Sequence, residues 1–228
     1  MTQETQNPPR AAEGLAADSA SVRLRAALAA GTNPHPALVA ALVARCAVEP
    51  DFSVRETLTW ALTRQPADVT LPLLLDELAS PQAQARSQAL HTLSKIGDRR
   101  AWPALTRELL TDADDEVARS AWRAAVVLVP EGERVALAVA LATQLGRGEH
   151  PTQLSLSRAL IALDEAALPV LRTAMTSPEP RVRAHAHATE HLRRDPEAGF
   201  AYAFEEAKRV AVLGPDGRKE DGDSGADR

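Results

Sequence analysis

A nine-residue pattern recurs along this chain at a nearly constant interval, and this internal repeat constrains the fold more than any other feature of the sequence. Residues 54–62, 85–93 and 117–125 align without gaps, and they begin 31 and 32 residues apart. In each segment, apolar or small residues occupy the first, fifth, eighth and ninth positions. These positions lie on one face of an α-helix, so the repeat predicts one amphipathic helix in every period.

The register of this repeat extends in both directions along the chain. Val22 lies 32 residues before Val54, and Thr152 and Val182 follow at further intervals of 35 and 30 residues. Below, offsets within the repeat are counted from the register residues Val22, Val54, Ala85, Val117, Thr152 and Val182. We call the helices that begin near these residues the second helices, because another amphipathic stretch precedes most of them.

The intervening stretches, which we call the first helices, are also amphipathic. They are predicted at residues 36–48, 71–79, 101–110, 133–145 and 167–175. Four of them carry proline near the start, at Pro36, Pro72, Pro103 and Pro169. We expect these prolines in the first helical turn, where a missing amide donor costs nothing.

Pairs of short amphipathic helices cannot bury their apolar faces alone, so successive pairs must stack around a shared core. The sequence therefore predicts an all-α protein, a right-handed α-solenoid of about five helix pairs over residues 18–194. Residues 195–213 are expected to form a helix that caps the last repeat. Residues 1–17 and 214–228 are expected to be disordered, because they contain few large apolar side chains.

Composition narrows the possible environments and partners. Aromatic residues make up only 3% of the chain, which disfavours a β-rich fold, and the net charge of −5 disfavours a uniform basic surface for nucleic acid. Cys46 is the single cysteine and lies in an apolar stretch, which predicts a buried thiol and no internal disulfide. The longest wholly apolar run, residues 135–142, is too short to cross a membrane, and the first 17 residues lack the pattern of an export signal. Together with the abundance of Arg and Ala, these features favour a cytoplasmic protein of bacterial origin.

Each period contains an apolar first helix, a turn with Asp or Pro, and then a pattern close to V-R-x-x-A-x-x-x-L, and this order resembles a HEAT repeat. It is most similar to the bacterial PBS-lyase-type subgroup, over roughly residues 22–194, with residues 51–55 and 180–183 as the best matches. The resemblance implies that Arg55, Arg86 and Arg183 form a structural ladder of polar contacts between repeats. Ala118, Gln153 and the longer insertion at residues 130–148 depart from the pattern, and we expect irregular stacking there.

The candidate binding residues follow from the same resemblance, because solenoids of this kind line a concave surface with their second helices. Offset 6 holds Trp60, His91, Arg123 and Arg158, and offset 5 adds Trp122 and His187. Trp and Arg are enriched among residues that dominate binding energy, and together they suit an acidic or mixed peptide. The alternative for Trp60 and Trp122 is that they fill gaps between helices, and Trp102 is expected in the core.

A metal site or an enzymatic role is the competing interpretation. His187 and His191 lie one helical turn apart and could chelate a metal, but no HExxH motif or Cys cluster supplies a third ligand, so no metal or cofactor is predicted. Deoxyhypusine hydroxylase, an enzymatic HEAT-like family, holds two irons with repeated His-Glu pairs. In this chain the order is reversed, at residues 149–150 and 190–191, so iron binding is not carried over.

Two further HEAT-like families resemble this chain in fold. Phycobilisome lyases bind a bilin, which no feature of this sequence specifically indicates. Alkylpurine glycosylases rely on aromatic and basic side chains around DNA, and this acidic chain is poor in aromatics. The sequence therefore predicts a non-catalytic scaffold that binds a protein or peptide. An accessory or lyase-like enzyme, with a small-molecule or metal site near the C-terminal His cluster, stays open as the alternative.

Overall fold

The computed structural model describes residues 8–196, and the regular secondary structure in this range is entirely helical. The α-helices are α1 Pro8–Leu15, α2 Ala20–Thr32, α3 Val39–Val48, α4 Phe52–Thr63, α5 Ala67–Glu77, α6 Ala83–Ile96, α7 Arg107–Leu110, α8 Asp115–Leu128, α9 Arg134–Ala142, α10 His150–Ala162, α11 Leu168–Ala174 and α12 Pro180–Arg194. Short 3-10 helices precede α3, α7, α9 and α11. The fold is thus an all-α solenoid of helix pairs, as predicted. It divides into two compact units, unit 1 up to Pro130 and unit 2 from Glu131.

In unit 1 the four second helices are α2, α4, α6 and α8, and they pack side by side in that order. Their predicted apolar face is the core: Val54, Leu58 and Leu62 of α4 are buried, as are the equivalent residues of α8. The first helices, α1, α3, α5 and α7 with its preceding 3-10 helix, cover this core from the other side. The periodicity of the sequence therefore predicted the buried face of the repeat correctly.

The arginine at offset 1 is structural, but it mainly binds the turn of its own repeat, and the contacts between repeats that the resemblance implied are formed by Arg23 with Glu49 and by Arg86 with Asp112. Nη1 of Arg55 donates hydrogen bonds to the backbone carbonyls of Glu49 and Pro50, at 2.9 and 2.8 Å. Arg23, Arg86 and Arg183 bind the turn carbonyls five or six residues before them in the same way. Where the sequence has Gln153 instead, its Nε2 donates to the carbonyl of Gly148 at 3.1 Å, so an amide replaces the guanidinium.

A buried carboxylate joins the first two repeats of unit 1. Glu49 has no exposed surface, and it accepts hydrogen bonds at 2.7 Å from Nε and Nη2 of Arg23 and from Nε of Arg45. Burial disfavours its charged form, but the hydrogen bonds from Arg23, the Asp51 amide and Arg45 outweigh this and lower the pKa of Glu49 to about 2. Cys46 is buried one turn earlier, as predicted, and burial raises the pKa of its thiol to about 12.

The N-terminal boundary differs from the prediction. Residues 8–15, expected to be disordered, form α1, which packs against α2 and α3 with Ala11 and Leu15 buried. The helix was missed because an eight-residue segment with two buried apolar positions shows too little periodicity to be distinguished from a loop. The capping helix predicted at residues 195–213 and the tail predicted at residues 214–228 lie outside the described residues, apart from the first two positions.

Two first helices also begin differently from the prediction. Pro72 lies inside α5, which starts at Ala67 rather than at residue 71. Pro103 lies inside a 3-10 helix, Arg99–Ala104, where a longer α-helix was expected over residues 101–110. None of the helices within residues 8–196 combines the length and the apolar character that crossing a membrane requires.

Candidate protein-binding face

The offset-6 side chains of unit 1 form a row across its four second helices. Leu28 on α2, Trp60 on α4, His91 on α6 and Arg123 on α8 follow one another because these helices pack in that order. Leu28 and Trp60 are 46% and 41% exposed, Arg123 is exposed and His91 is half-buried. We call these four residues the offset-6 row. Leu28 was missing from the sequence-based site, although the register at Val22 identifies it.

The exposed ring of Trp60 lies against α2, where Gly31 leaves space for it. A Cβ atom added to Gly31 would come within 2.2 Å of Cζ3 of Trp60, so any side chain there would displace the ring. Gly31 is itself buried beneath this contact. Trp60 therefore presents one part of its indole to solvent while another part is held by the neighbouring helix, and it does not fill an interior gap.

Trp122 corrects the sequence-based site. Its side chain has no exposed surface, and its indole Nε1 donates a hydrogen bond to the carbonyl of Leu110 at 2.8 Å. Offset 5 faces the interior rather than the exposed surface, since Thr59 and Leu90 are also buried at this position. For Trp122 the alternative interpretation, that it fills space between helices, is the correct one. Trp102, expected in the core, is half-buried.

The surface around the row is positively charged, in contrast to the chain as a whole. Offsets 2, 3, 6 and 10 of the four second helices carry five basic side chains and one acidic side chain, Glu56. The basic ones are Arg25, Arg64, Lys95, Arg119 and Arg123. Burial and then the charge of Arg119 lower the pKa of Arg123, and the carboxylates of Glu116 and Glu56 oppose this only in part.

Several polar atoms on these helices lack partners. Thr59 Oγ1, Gln88 Oε1, His91 Nε2 and Arg119 Nε are inaccessible to solvent and have no hydrogen-bond partner among the described residues. Glu56 Oε1 lies 3.5 Å from His91 Nε2, too far for a good hydrogen bond. Burial lowers the pKa of His91, and the Glu56 carboxylate opposes this only in part. Because buried polar groups are normally paired, these four unpartnered atoms show that hydrogen bonding just beneath the row is incomplete.

The remaining candidates lie in unit 2. Arg158 is exposed on α10, and His187 is half-buried on α12, with a pKa lowered by burial. His191, the other weak metal candidate, is half-buried, and its Nδ1 has no hydrogen-bond partner among the described residues. Within the described part of the chain, no three His, Cys, Asp or Glu side chains converge as metal ligands would. The sequence-based site is therefore distributed over both units, and of its members only Trp60, His91 and Arg123 lie in one row.

His185, which the sequence placed in the C-terminal His cluster of residues 185–191 without a role of its own, is held by several hydrogen bonds. It is fully buried on α12, its Nδ1 accepts a hydrogen bond from the Gly146 amide at 3.0 Å, and its Nε2 donates to the Gln153 carbonyl at 3.0 Å. Ser157 Oγ lies 3.1 Å from the same Nε2. Burial lowers the pKa of His185 to about 4, so the ring is neutral and structural at neutral pH.

Comparison with protein families supports the helical-repeat fold. No curated protein sequence matches the chain significantly. Among solved structures, the complex of CpcE and CpcF of phycocyanin lyase from Nostoc sp. PCC7120 is 19% identical, covers 93% of this chain and 90% of its own, and gives a TM-score of 0.49. Human deoxyhypusine hydroxylase in complex with glycerol is also 19% identical, covers 90% of this chain and 94% of its own, and gives a TM-score of 0.46. A family model for HEAT repeats matches residues 47–126, which run from the end of α3 to most of α8, and this segment of the chain therefore consists of HEAT repeats.

Proposed function

We propose that this HEAT-repeat protein is a non-catalytic scaffold that binds a protein partner, and that the offset-6 row of unit 1 contacts this partner. The observation that carries the proposal is that the indole of Trp60 is partly exposed and rests against Gly31 of α2, on the same face as the exposed Leu28. Adjacent large apolar side chains at a surface lose contact with water when a partner covers them, and this gain is a main source of binding energy.

The shape of the Trp60 site supports the same function. Because Gly31 lets the ring rest on α2, the indole has lost part of its conformational freedom before any partner arrives. A pre-ordered aromatic side chain costs less to immobilise at an interface than a freely rotating one. Such residues are the ones that most often dominate binding energy at protein interfaces.

The experiment is affinity capture with the full chain, followed by mass spectrometry of the recovered proteins. Three baits are compared: the wild type, Trp60→Ala, and Val69→Ala as a matched control. Val69 is also exposed, at 38%, but it lies on the first helix α5 and outside the row. We expect at least one partner whose recovery falls about tenfold or more with Trp60→Ala and stays at the wild-type level with Val69→Ala.

Equal recovery of every protein by the three baits would contradict the proposal. Circular dichroism of each bait shows whether it is folded, and a folded Trp60→Ala bait is expected because the side chain is partly exposed. A fourth bait, Arg158→Glu with His187→Ala, tests the candidates of unit 2 separately. If only this bait loses the partner, the binding surface lies in unit 2 and not in the offset-6 row.

A further inference from the structure

The offset-6 row changes its chemistry from one end to the other. At one end Leu28 and Trp60 are apolar and exposed, whereas the other end holds Arg123, with Lys95 and Arg119 on the same face. A partner that covers the whole row must therefore offer an apolar group at one point and a different chemistry at another. This asymmetry restricts the class of partner more than the exposed indole alone does.

The cationic end has more donors than its own acidic residues can satisfy. Arg119 forms an ion pair with the exposed Glu116 through Nη1, but its Nε has no hydrogen-bond partner. Nη2 of Arg123 donates only to the hydroxyl of Ser120, at 3.0 Å, and no carboxylate among the described residues forms an ion pair with it. A guanidinium bound by a neutral hydroxyl keeps its full capacity to bind a carboxylate through two parallel hydrogen bonds.

His91 lies between the two ends and has the same deficit. Its Nε2 is shielded from solvent and unpartnered, so rotating the ring toward a ligand would break no hydrogen bond. Gln88, one turn earlier on α6, is also half-buried, and its Oε1 is unpartnered but shielded from solvent, so the side chain must turn outward before it can accept a backbone amide. Once turned outward, these two groups can receive the polar backbone of a bound chain between the apolar anchor and the cationic end.

Resting on the proposed function, we infer that the partner segment is an acidic peptide with a defined spacing between two anchors. An apolar or aromatic side chain of the partner packs on Trp60 and Leu28. A carboxylate of the same segment binds Arg123 and Arg119. The rest of the segment crosses α6 between them, over His91 and Gln88.

The helix spacing fixes the distance between the two anchors. Trp60 and Arg123 lie on second helices that are separated by one intermediate helix, α6. Packed helices have axes roughly 8–10 Å apart, so the anchors lie about 16–20 Å apart across the row. An extended chain covers about 3.3–3.6 Å per residue, so a span of about 16–20 Å corresponds to roughly five or six residues. The carboxylate of the partner should therefore lie about five or six positions from its apolar side chain.

Charge complementarity favours an acidic peptide over a nucleic acid. A nucleic-acid backbone presents a phosphate at every nucleotide and requires a continuous line of cations. The row instead is apolar at one end and cationic at the other, and the carboxylate of Glu56 lies next to His91 in its middle. A polyanion would meet this carboxylate and the apolar end, whereas a peptide with separate anchors avoids both.

The test uses the full chain and a display library of random peptides of about twelve residues as the probe. Peptides selected on wild type are expected to carry an apolar or aromatic residue and an Asp or Glu five or six positions away, in either direction. Replacing this acid by its amide, or Arg123 by Glu, should weaken a selected peptide at least about tenfold, since a charge-assisted hydrogen bond is lost. Arg99→Glu is the matched control, because Arg99 is exposed but lies before α7, outside the row.

The outcomes separate this inference from the function on which it rests. Peptides that need Trp60 but show no acidic enrichment, or that bind Arg123→Glu as tightly as wild type, overturn the acidic partner and leave the scaffold role intact. If no selected peptide depends on Trp60, the proposed binding surface itself fails. A labelled single-stranded oligonucleotide is tested in parallel, and tight binding that Arg123→Glu abolishes would assign the row to nucleic acid instead. Arg123→Gln, which removes charge without reversing it, replaces Arg123→Glu if that variant does not fold.

Discussion

Acidification should destabilise unit 2 through His185, and the hydrogen bonds around this ring explain why. Nδ1 of His185 accepts from the Gly146 amide while Nε2 donates to the Gln153 carbonyl, so the neutral ring satisfies both neighbours. A second ring proton would place an N–H group against the N–H of Gly146, inside a core from which water is excluded. The charged form is therefore disfavoured in the folded protein but not in the unfolded chain.

The magnitude follows from the two pKa values. The ordinary pKa of His is 6.5, and that of buried His185 is about 4. Between these values the unfolded chain binds a proton that the folded protein does not, so the stabilisation is complete above about pH 6.5 and is lost as the pH falls toward 4. Because one pKa unit corresponds to about 1.4 kcal/mol, His185 alone should remove about 3 kcal/mol of stability over this interval.

The assay is urea unfolding at about pH 7 and about pH 4, and unfolding of unit 2 is monitored through resolved amide signals of α10 and α12 in NMR spectra. The test variant is His185→Asn, whose side-chain oxygen can still accept the Gly146 amide but whose side chain does not titrate. At neutral pH this variant should lose about 1–3 kcal/mol, because the Gln153 carbonyl loses its donor. Its further loss on acidification should be about 3 kcal/mol smaller than that of the wild type, since contributions from all other groups cancel in the comparison.

His150→Asn is the matched control, because it makes the same replacement at an exposed histidine of the same unit. If His185→Asn and the wild type lose the same stability between the two pH values, the proton on His185 is not what couples folding to pH.

Three further perturbations test other parts of the structure. Cys46 should resist thiol reagents in the folded protein and react on unfolding, because burial raises its pKa to about 12; fast labelling of native protein would contradict this. Glu49→Ala should cost about 3–5 kcal/mol in urea unfolding followed by Trp fluorescence, because it leaves Arg23 buried without its partner. Gly31→Ala should displace the Trp60 ring, and Trp fluorescence emission should then shift toward that of an exposed indole. An unchanged far-ultraviolet circular dichroism spectrum is the control that the helices are intact. An unchanged emission spectrum would show that Trp60 does not lie on α2.

The sequence predicts the repeat and the core face because each depends on local spacing, whereas the structural role of the arginines was implied by the resemblance to HEAT repeats. Apolar residues at offsets 0, 4, 7 and 8 must lie on one side of a helix, and an arginine one position after the register residue is always within reach of the preceding turn. Even Gln153, which breaks the pattern, keeps its bond to that turn. None of these features requires knowledge of how distant parts of the chain meet.

The candidate surface could be predicted only in part, because exposure depends on neighbouring helices. Offset 5 lies about 60° from the nearest core position around the helix axis and offset 6 about 100°, so offset 6 is nearly opposite the core stripe. How far the neighbouring helices cover offset 5 is not given by this spacing, and in the structure they cover it fully, so Trp122 is interior while Trp60 is not. The seat that Gly31 provides for Trp60 is likewise a contact between residues 29 positions apart, which no local pattern indicates.

The use of the offset-6 row as a binding surface is tested most directly by 19F NMR of protein labelled with 5-fluorotryptophan. The full chain has three Trp residues, and the signals of Trp60 and Trp122 are assigned from Phe variants of each. On adding a saturating amount of a library-selected peptide, we predict that the Trp60 signal shifts while the Trp122 signal stays in place. A Trp60 signal that does not move when the peptide is bound would contradict a partner seated on the row.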